Sequence, residues 1–128
     1  MTGYSGTPLE RKLGVKPEHA VFLDGAPEDF DLDAPTTRRL PRRLAISLTF
    51  HTEAARLTRR LPQLIERTAP AGMIWVCWPK KAAKVDTDID ENVVREIGLA
   101  AGVVDVKVCA IDEVWSGLKF VRRLADRS

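Results

Sequence analysis

Five side chains stand where strand-like runs stop. Trp78 closes the apolar run 73–78 and Lys80 and Lys81 follow it, Asp88 lies beyond the next loop, and Trp115 sits between two late β-like runs. Ammonium groups at the mouth of a buried strand are point charges suited to an anionic small molecule or an acidic protein partner. Trp78 is placed to line such a pocket, and Trp115 either plugs the sheet end or makes an exposed contact. Asp24 and His51 close two other runs, and an imidazole near a carboxylate has the makings of a general base. Solvated loop charges and a surface histidine are the plainer readings of the same residues. A third group is Arg38, Arg39, Arg42 and Arg43, which directly follows an acidic block of Glu18, Asp24, Glu28, Asp29, Asp31 and Asp33. It reads as an exposed connection whose halves attract, or as a phosphate-facing patch. No aromatic residues interleave it for base stacking, and a net charge of +2 is too small to argue for nucleic acid.

Other chemistries lack their residues. A dinucleotide- or SAM-type turn after the first strand needs several glycines so that backbone can approach the cofactor. Here that turn is Asp24-Gly25-Ala26-Pro27, with one glycine and a proline, and no second strand ends in an acid. There is no phosphate-binding P-loop, no Gly-x-Ser-x-Gly elbow and no His/Cys cluster for a metal. The expectation is therefore no cofactor and no metal. Cys77 and Cys109 fall in apolar runs and read as buried free thiols, as in a cytoplasmic protein. The longest apolar runs are far short of a membrane span, and no secretory signal is visible at the N-terminus.

These residues need elements to hold them. The apolar run 73–78, bounded by Gly72 and Pro79, reads as a strand buried on both faces. Residues 20–23 and 44–50 read as strands of the same kind. Residues 103–111 alternate, with Val104, Val106, Val108 and Ala110 on one face, and 118–124 form a last strand after a loop holding Trp115. Thr7, Pro8 and Glu10 spell a capping box for a short helix over 8–13 that stops at Gly14, and Tyr4-Ser5-Gly6 reads as a lead-in that packs on the surface. Thr52 and Glu53 start a helix whose face carries Leu57, Leu61, Leu64 and Ile65, with Arg56, Arg59, Arg60 and Arg67 mostly elsewhere and Pro62 as a kink. Pro70-Ala71-Gly72 turns the chain from that helix into the central strand. Asp88 with Glu91 caps a further helix with a stripe of Ile89, Val93, Ile97 and Ala100, ended by Gly102.

At 128 residues this is one α/β domain, with 25–43 as an irregular connection. Helices between strands imply right-handed crossovers and a mostly parallel sheet of about five to six strands in a three-layer sandwich. The last two strands lack a helix between them and form an antiparallel C-terminal edge. That ending resembles the SAM-dependent methyltransferase architecture.

Several segments together, Tyr4-Ser-Gly-Thr-Pro-Leu9, Trp78-Pro-Lys-Lys81, Asp88 with Val93-Val-Arg-Glu96, Val104-Asp-Val-Lys-Val-Cys109 and Trp115-Ser-Gly-Leu-Lys-Phe-Val-Arg122, resemble a bacterial domain-of-unknown-function family, numbered thirty fifty-two. The chain departs from that pattern at 28–43, where similar sequences carry a longer helix and strand, and at His51-Thr52-Glu53. The resemblance implies a small α/β fold and no activity. The functional expectation is a non-catalytic, methyltransferase-like scaffold that binds a protein partner or an anionic small molecule at the rim of Trp78, Lys80, Lys81, Asp88 and Trp115. The alternatives are a degenerate enzyme holding SAM or a nucleotide, with Asp24 or Asp88 on the ribose, and a nucleic-acid contact through Arg38, Arg39, Arg42 and Arg43.

Overall fold

The structure is a computed structural model, and it describes residues 7–126. The lead-in Tyr4-Ser5-Gly6 lies outside the described residues. Six strands, β1 (Val21–Asp24), β2 (Thr36–Thr37), β3 (Leu44–Phe50), β4 (Thr68–Pro79), β5 (Val103–Ala110) and β6 (Trp115–Arg122), form one sheet in the order β2-β1-β3-β4-β6-β5. Pairing is parallel from β2 to β4, and β6 runs antiparallel to both β4 and β5. The last hairpin thus forms the expected antiparallel edge, with β6 folded inward and β5 outermost.

Period-2 alternation divides the apolar residues between two faces. Phe22, Ile74, Val76, Trp78, Leu118 and Phe120 meet helices α2 (Ala54–Arg67) and α3 (Glu91–Ala101) on one face. Val21, Leu23, Ile46, Leu48, Trp75 and Cys77 lie on the other, under α1 (Leu9–Leu13) and residues 26–34. The third layer is therefore one short helix and an irregular segment. Leu13 is fully buried there, and Gly14 stops α1 at φ 82°, a left-handed geometry that glycine adopts without a Cβ penalty.

Several local expectations give way to tertiary contacts. Pro8, rather than Thr7, precedes α1, and no side chain caps it. Glu53, rather than Thr52, stands at the N-cap of α2 and makes no side-chain capping bond; the Ala54 N–H donates instead to Asp88 Oδ1 at 2.8 Å. Asp88 is thus not the cap of α3; that role falls to Asp90, whose carboxylate accepts from Val93 N at 2.9 Å. The far end of α2 is closed by Arg122 of β6, which donates to the carbonyls of Ile65 and Thr68. Residues 69–72 make no turn: α2 passes directly into β4, and the extra residues form a bulge against Leu44–Ile46.

Of the expected stripe Ile89 and Ile97 do meet the core, but the fully buried positions of α3 are Val94 and Gly98, with Ala101 beside them, while Val93 is half-buried and Ala100 exposed. Gly98 decides this, because Phe120 occupies the space a side chain would need. On β5 a bulge at Val106 breaks the expected alternation and leaves Val106 and Val108 in solvent. Trp115 opens β6 and is not a loop residue: Asp112 Oδ1 accepts from the N–H groups of Val114 and Trp115, both at 2.8 Å, closing the turn early. No helix among the described residues is long and apolar enough to cross a membrane.

Candidate functional site

Strand order reverses beside β1: the chain moves from β1 outward to β2, then returns across β1 to β3. In open α/β sheets the crevice beyond the carboxyl ends of such a strand pair is where ligands bind. A cleft of about 440 Å³ lies there, lined by Asp24, Gly25, Phe50, His51, Thr52, Arg56, Arg60 and Trp115. Its aromatic wall is Phe50 against Trp115 in a T-shaped contact, with Phe30 packed on Phe50 in the same way outside the cleft, each pair at 5.1 Å between ring centroids. Trp115 is half-buried, with its ring packed on Phe50.

A hydrogen-bonded chain crosses the polar side. Arg60 grips Asp24 with two bonds, Nε to Oδ2 at 2.9 Å and a terminal nitrogen to Oδ1 at 2.8 Å. Thr49 Oγ1 donates to Asp24 Oδ2 at 2.7 Å and lies 2.6 Å from His51 Nε2. The single hydroxyl proton of Thr49 goes to the carboxylate, so His51 Nε2–H must donate to Thr49, which leaves Nδ1 with its lone pair. Burial works against the Asp24 charge, but the bonds from Arg60 and Thr49 and the Arg60 charge outweigh it and hold the carboxyl below its usual range. Arg60 is correspondingly raised by its bond to Asp24. Burial pushes His51 down to about 4, with the Arg56 and Arg60 charges adding to it and Asp24 opposing. The cleft at neutral pH therefore holds a satisfied ion pair, a neutral imidazole and Arg56, an exposed cation with no ion-pair partner among the described residues.

This arrangement sets a pH dependence of stability. The unfolded His51 takes up its proton near 6.5 and the folded one only near 4. As pH falls through that window the unfolded state binds more protons, so stability declines. With a discount for partial solvent access the loss is roughly 1–2 kcal/mol. Asp24 adds a further loss below 3.8, as its depressed group is finally protonated. Urea unfolding at pH 7, 5.5 and 4 should show the first decline, and His51→Gln should flatten it.

The residues expected on one rim separate. Trp78 is 6% exposed and belongs to the α2/α3 core, whereas Trp115 packs on the opposite face. Lys80 and Lys81 line a second, shallower hollow of about 460 Å³ with Trp78, Asp90 and Glu91; there Asp90 caps α3 and Glu91 is paired with Arg95. Asp88 is committed to α2, and its loop is held there by Thr87 Oγ1 donating to Thr52 O at 2.6 Å. Asp24, His51 and Trp115 are brought together. Arg38 pins the first turn by donating to the carbonyls of Ala26 and Pro27, both at 2.9 Å, and Arg39, Arg42 and Arg43 are exposed. Sequence reasoning missed Thr49, Phe50, Arg56 and Arg60. A usable signal existed for the arginines: they are one turn apart at the start of a helix that leaves a strand's carboxyl end, so both must overlook that rim. Among the described residues no group of three or more His, Cys, Asp or Glu is placed to hold a metal.

No protein-family model and no curated protein matches the chain. Solved structures do. LepI in complex with SAM superposes with a TM-score of 0.58 at 8% identity, over 90% of this chain and 39% of LepI. Magnesium protoporphyrin IX methyltransferase (ChlM) from Synechocystis PCC 6803 gives 0.53 with bound SAM, at 9% identity over 74% of this chain and 49% of the enzyme. The same enzyme with bound SAH gives 0.51, at 12% identity over 72% and 53%. The chain spans about half the length of these structures or less, and what it shares with them is the Rossmann-like, methyltransferase-like fold.

Proposed function

We propose that this chain is a methyltransferase-like binding module whose cleft between β1 and β3 takes a small anionic ligand. The observation that carries the reading is Arg56, a guanidinium lining a cleft whose only carboxylate among the described residues, Asp24, is already paired with Arg60. An anion would complete the charge balance there, and the edges of Phe50 and Trp115 offer apolar contact to its body. Acid–base catalysis has little support: His51 is held far below neutrality and Asp24 has its oxygens engaged. The Lys80/Lys81 hollow supports an anion less well, because it is shallower and the Asp90 carboxylate, with no cation paired to it among the described residues, also lines it.

SAM in the same cleft is the second reading, favoured by the SAM-bound structures of like fold. The polar groups of the first turn do not fit it. Asp24 is occupied by Arg60 and Thr49, the Ala26 and Pro27 carbonyls by Arg38, and a sulfonium would face two guanidinium groups.

Thermal unfolding with inorganic phosphate, citrate, AMP, SAM and SAH separates the readings. Saturation at a hundredfold excess over Kd should raise Tm by on the order of 10 °C. The expected result is a rise with anions that Arg56→Glu abolishes and the pair Lys80→Glu with Lys81→Glu leaves unchanged. The opposite pattern would move the site to the second hollow. A rise with SAM or SAH alone would establish the second reading.

A further inference from the structure

Charge on this molecule is sorted by face. Residues 38–43 and 53–67 hold eight arginines and two glutamates, a surplus of six positive charges on a chain whose net charge is +2. The rest of the molecule is accordingly acidic. At 3.6 residues per turn, positions 56, 59, 60, 63 and 67 of α2 fall within about 100° of arc, a stripe about 16 Å long. Four of these five are arginine and the fifth is Gln63, which accepts from Arg60 at 2.7 Å. Two of its arginines reach off the helix to other elements, Arg60 to Asp24 of β1 and Arg67 to the Pro41 carbonyl at 3.0 Å. Residues 38–43 therefore run beside α2, with Leu40 tucked into the core beneath it and Arg39, Arg42 and Arg43 exposed along the border. Five of these guanidiniums, Arg39, Arg42, Arg43, Arg56 and Arg59, carry no side-chain hydrogen bond or ion pair among the described residues.

We infer that this arginine face binds the phosphate backbone of duplex nucleic acid, without reading base sequence. Three observations choose that partner. All the cations are arginines, whose planar forks match phosphate oxygens two at a time. Protein partners need an apolar centre to their interface, and none of the exposed large hydrophobics Val85, Leu99, Val106, Val108, Val114 and Leu124 belongs to 38–43 or 53–67. Single strands are held by stacking on aromatic rings, and neither 38–43 nor 53–67 contains an aromatic residue. A stripe of about 16 Å also matches several consecutive phosphates along one strand, at roughly 3.4 Å of axial rise each.

The test is fluorescence anisotropy of a labelled mixed-sequence 20-base-pair DNA duplex with the whole chain, from 50 to 200 mM KCl. Five neutralised phosphates predict a slope of log K on log salt of about −4.5, hence a several-hundred-fold loss of affinity over that range. Arg42→Gln with Arg43→Gln should make the slope shallower by about 2 units, and Arg42→Glu with Arg43→Glu should weaken binding more than tenfold. Neither pair lies in the cleft, so the anion-induced rise in Tm should persist in both and shows that the variants fold. No binding at 50 mM KCl, binding indifferent to salt, or binding lost in Arg56→Glu but kept in the 42/43 variants would overturn the inference. So would poly-glutamate displacing the duplex at equal charge concentration, which would assign the face to an acidic protein.

Discussion

Trp75→Ala is expected to cost about 3–5 kcal/mol, a large part of the roughly 5–15 kcal/mol that holds such a domain folded. Trp75 is fully buried in the middle of β4, with its indole on the α1 face. Its Nε1–H donates to the Leu13 carbonyl at 3.0 Å, a bond between residues 62 apart in sequence that ties the last turn of α1 to the central strand. Removing the ring leaves a cavity that the neighbouring strands cannot close, and it orphans a buried carbonyl. A helix of five residues does not persist alone, so α1 should detach before the sheet opens. Urea unfolding measures the loss, and hydrogen exchange at 9–13 should show it locally. Trp75→Phe isolates the bond: it keeps most of the volume and should cost about 1–3 kcal/mol. A Trp75→Ala variant with wild-type stability would show that α1 contributes nothing to the fold.

Gly98→Val should destabilise by about 2–3 kcal/mol even though a glycine leaves the interior of a helix. Helix propensity alone favours replacing Gly98, by up to about 1 kcal/mol for alanine. The opposing effect is larger. A Cβ at position 98 would fall within 3.0 Å of Cδ1, Cε1 and Cζ of Phe120, and that ring is fully buried. Overpacking of this kind costs about 1–3 kcal/mol, and a branched side chain lies toward the upper end. Phe120→Leu destabilises by itself but frees the space, so the double variant should be more stable than the sum of the single effects by about 0.5 kcal/mol or more. Strict additivity in that cycle would refute the close packing of α3 on β6.

The functional arrangement depends on the same packing. Asp24 ends a buried strand, Arg60 lies on a helix closed at one end by Asp88 and at the other by Arg122, and Trp115 is fixed by the Asp112 turn. A cleft built this way is set before a ligand arrives, which lowers the ordering cost of binding.

Much of the scaffold was legible in the residues alone. Strand β3 falls on 44–50 as read, β1 within one residue, and the ends of α1 and α3 at Gly14 and Gly102, because apolar period and glycine's left-handed stops are properties of short windows. The mostly parallel sheet and its antiparallel edge followed from which strands had helices between them. What local windows could not decide is every choice made by residues distant in sequence. Asp88 reaches back 34 positions to Ala54, Arg122 caps a helix more than 50 residues earlier, and Phe120 selects the stripe of α3. The site shows the same division. Asp24, His51 and Trp115 stood out by type and by their place at strand ends. Their joining with Thr49, Arg56 and Arg60, and the parting of Trp115 from Trp78, Lys80 and Lys81, depend on strand order and on which face each side chain takes, and those are set only when the whole sheet is assembled.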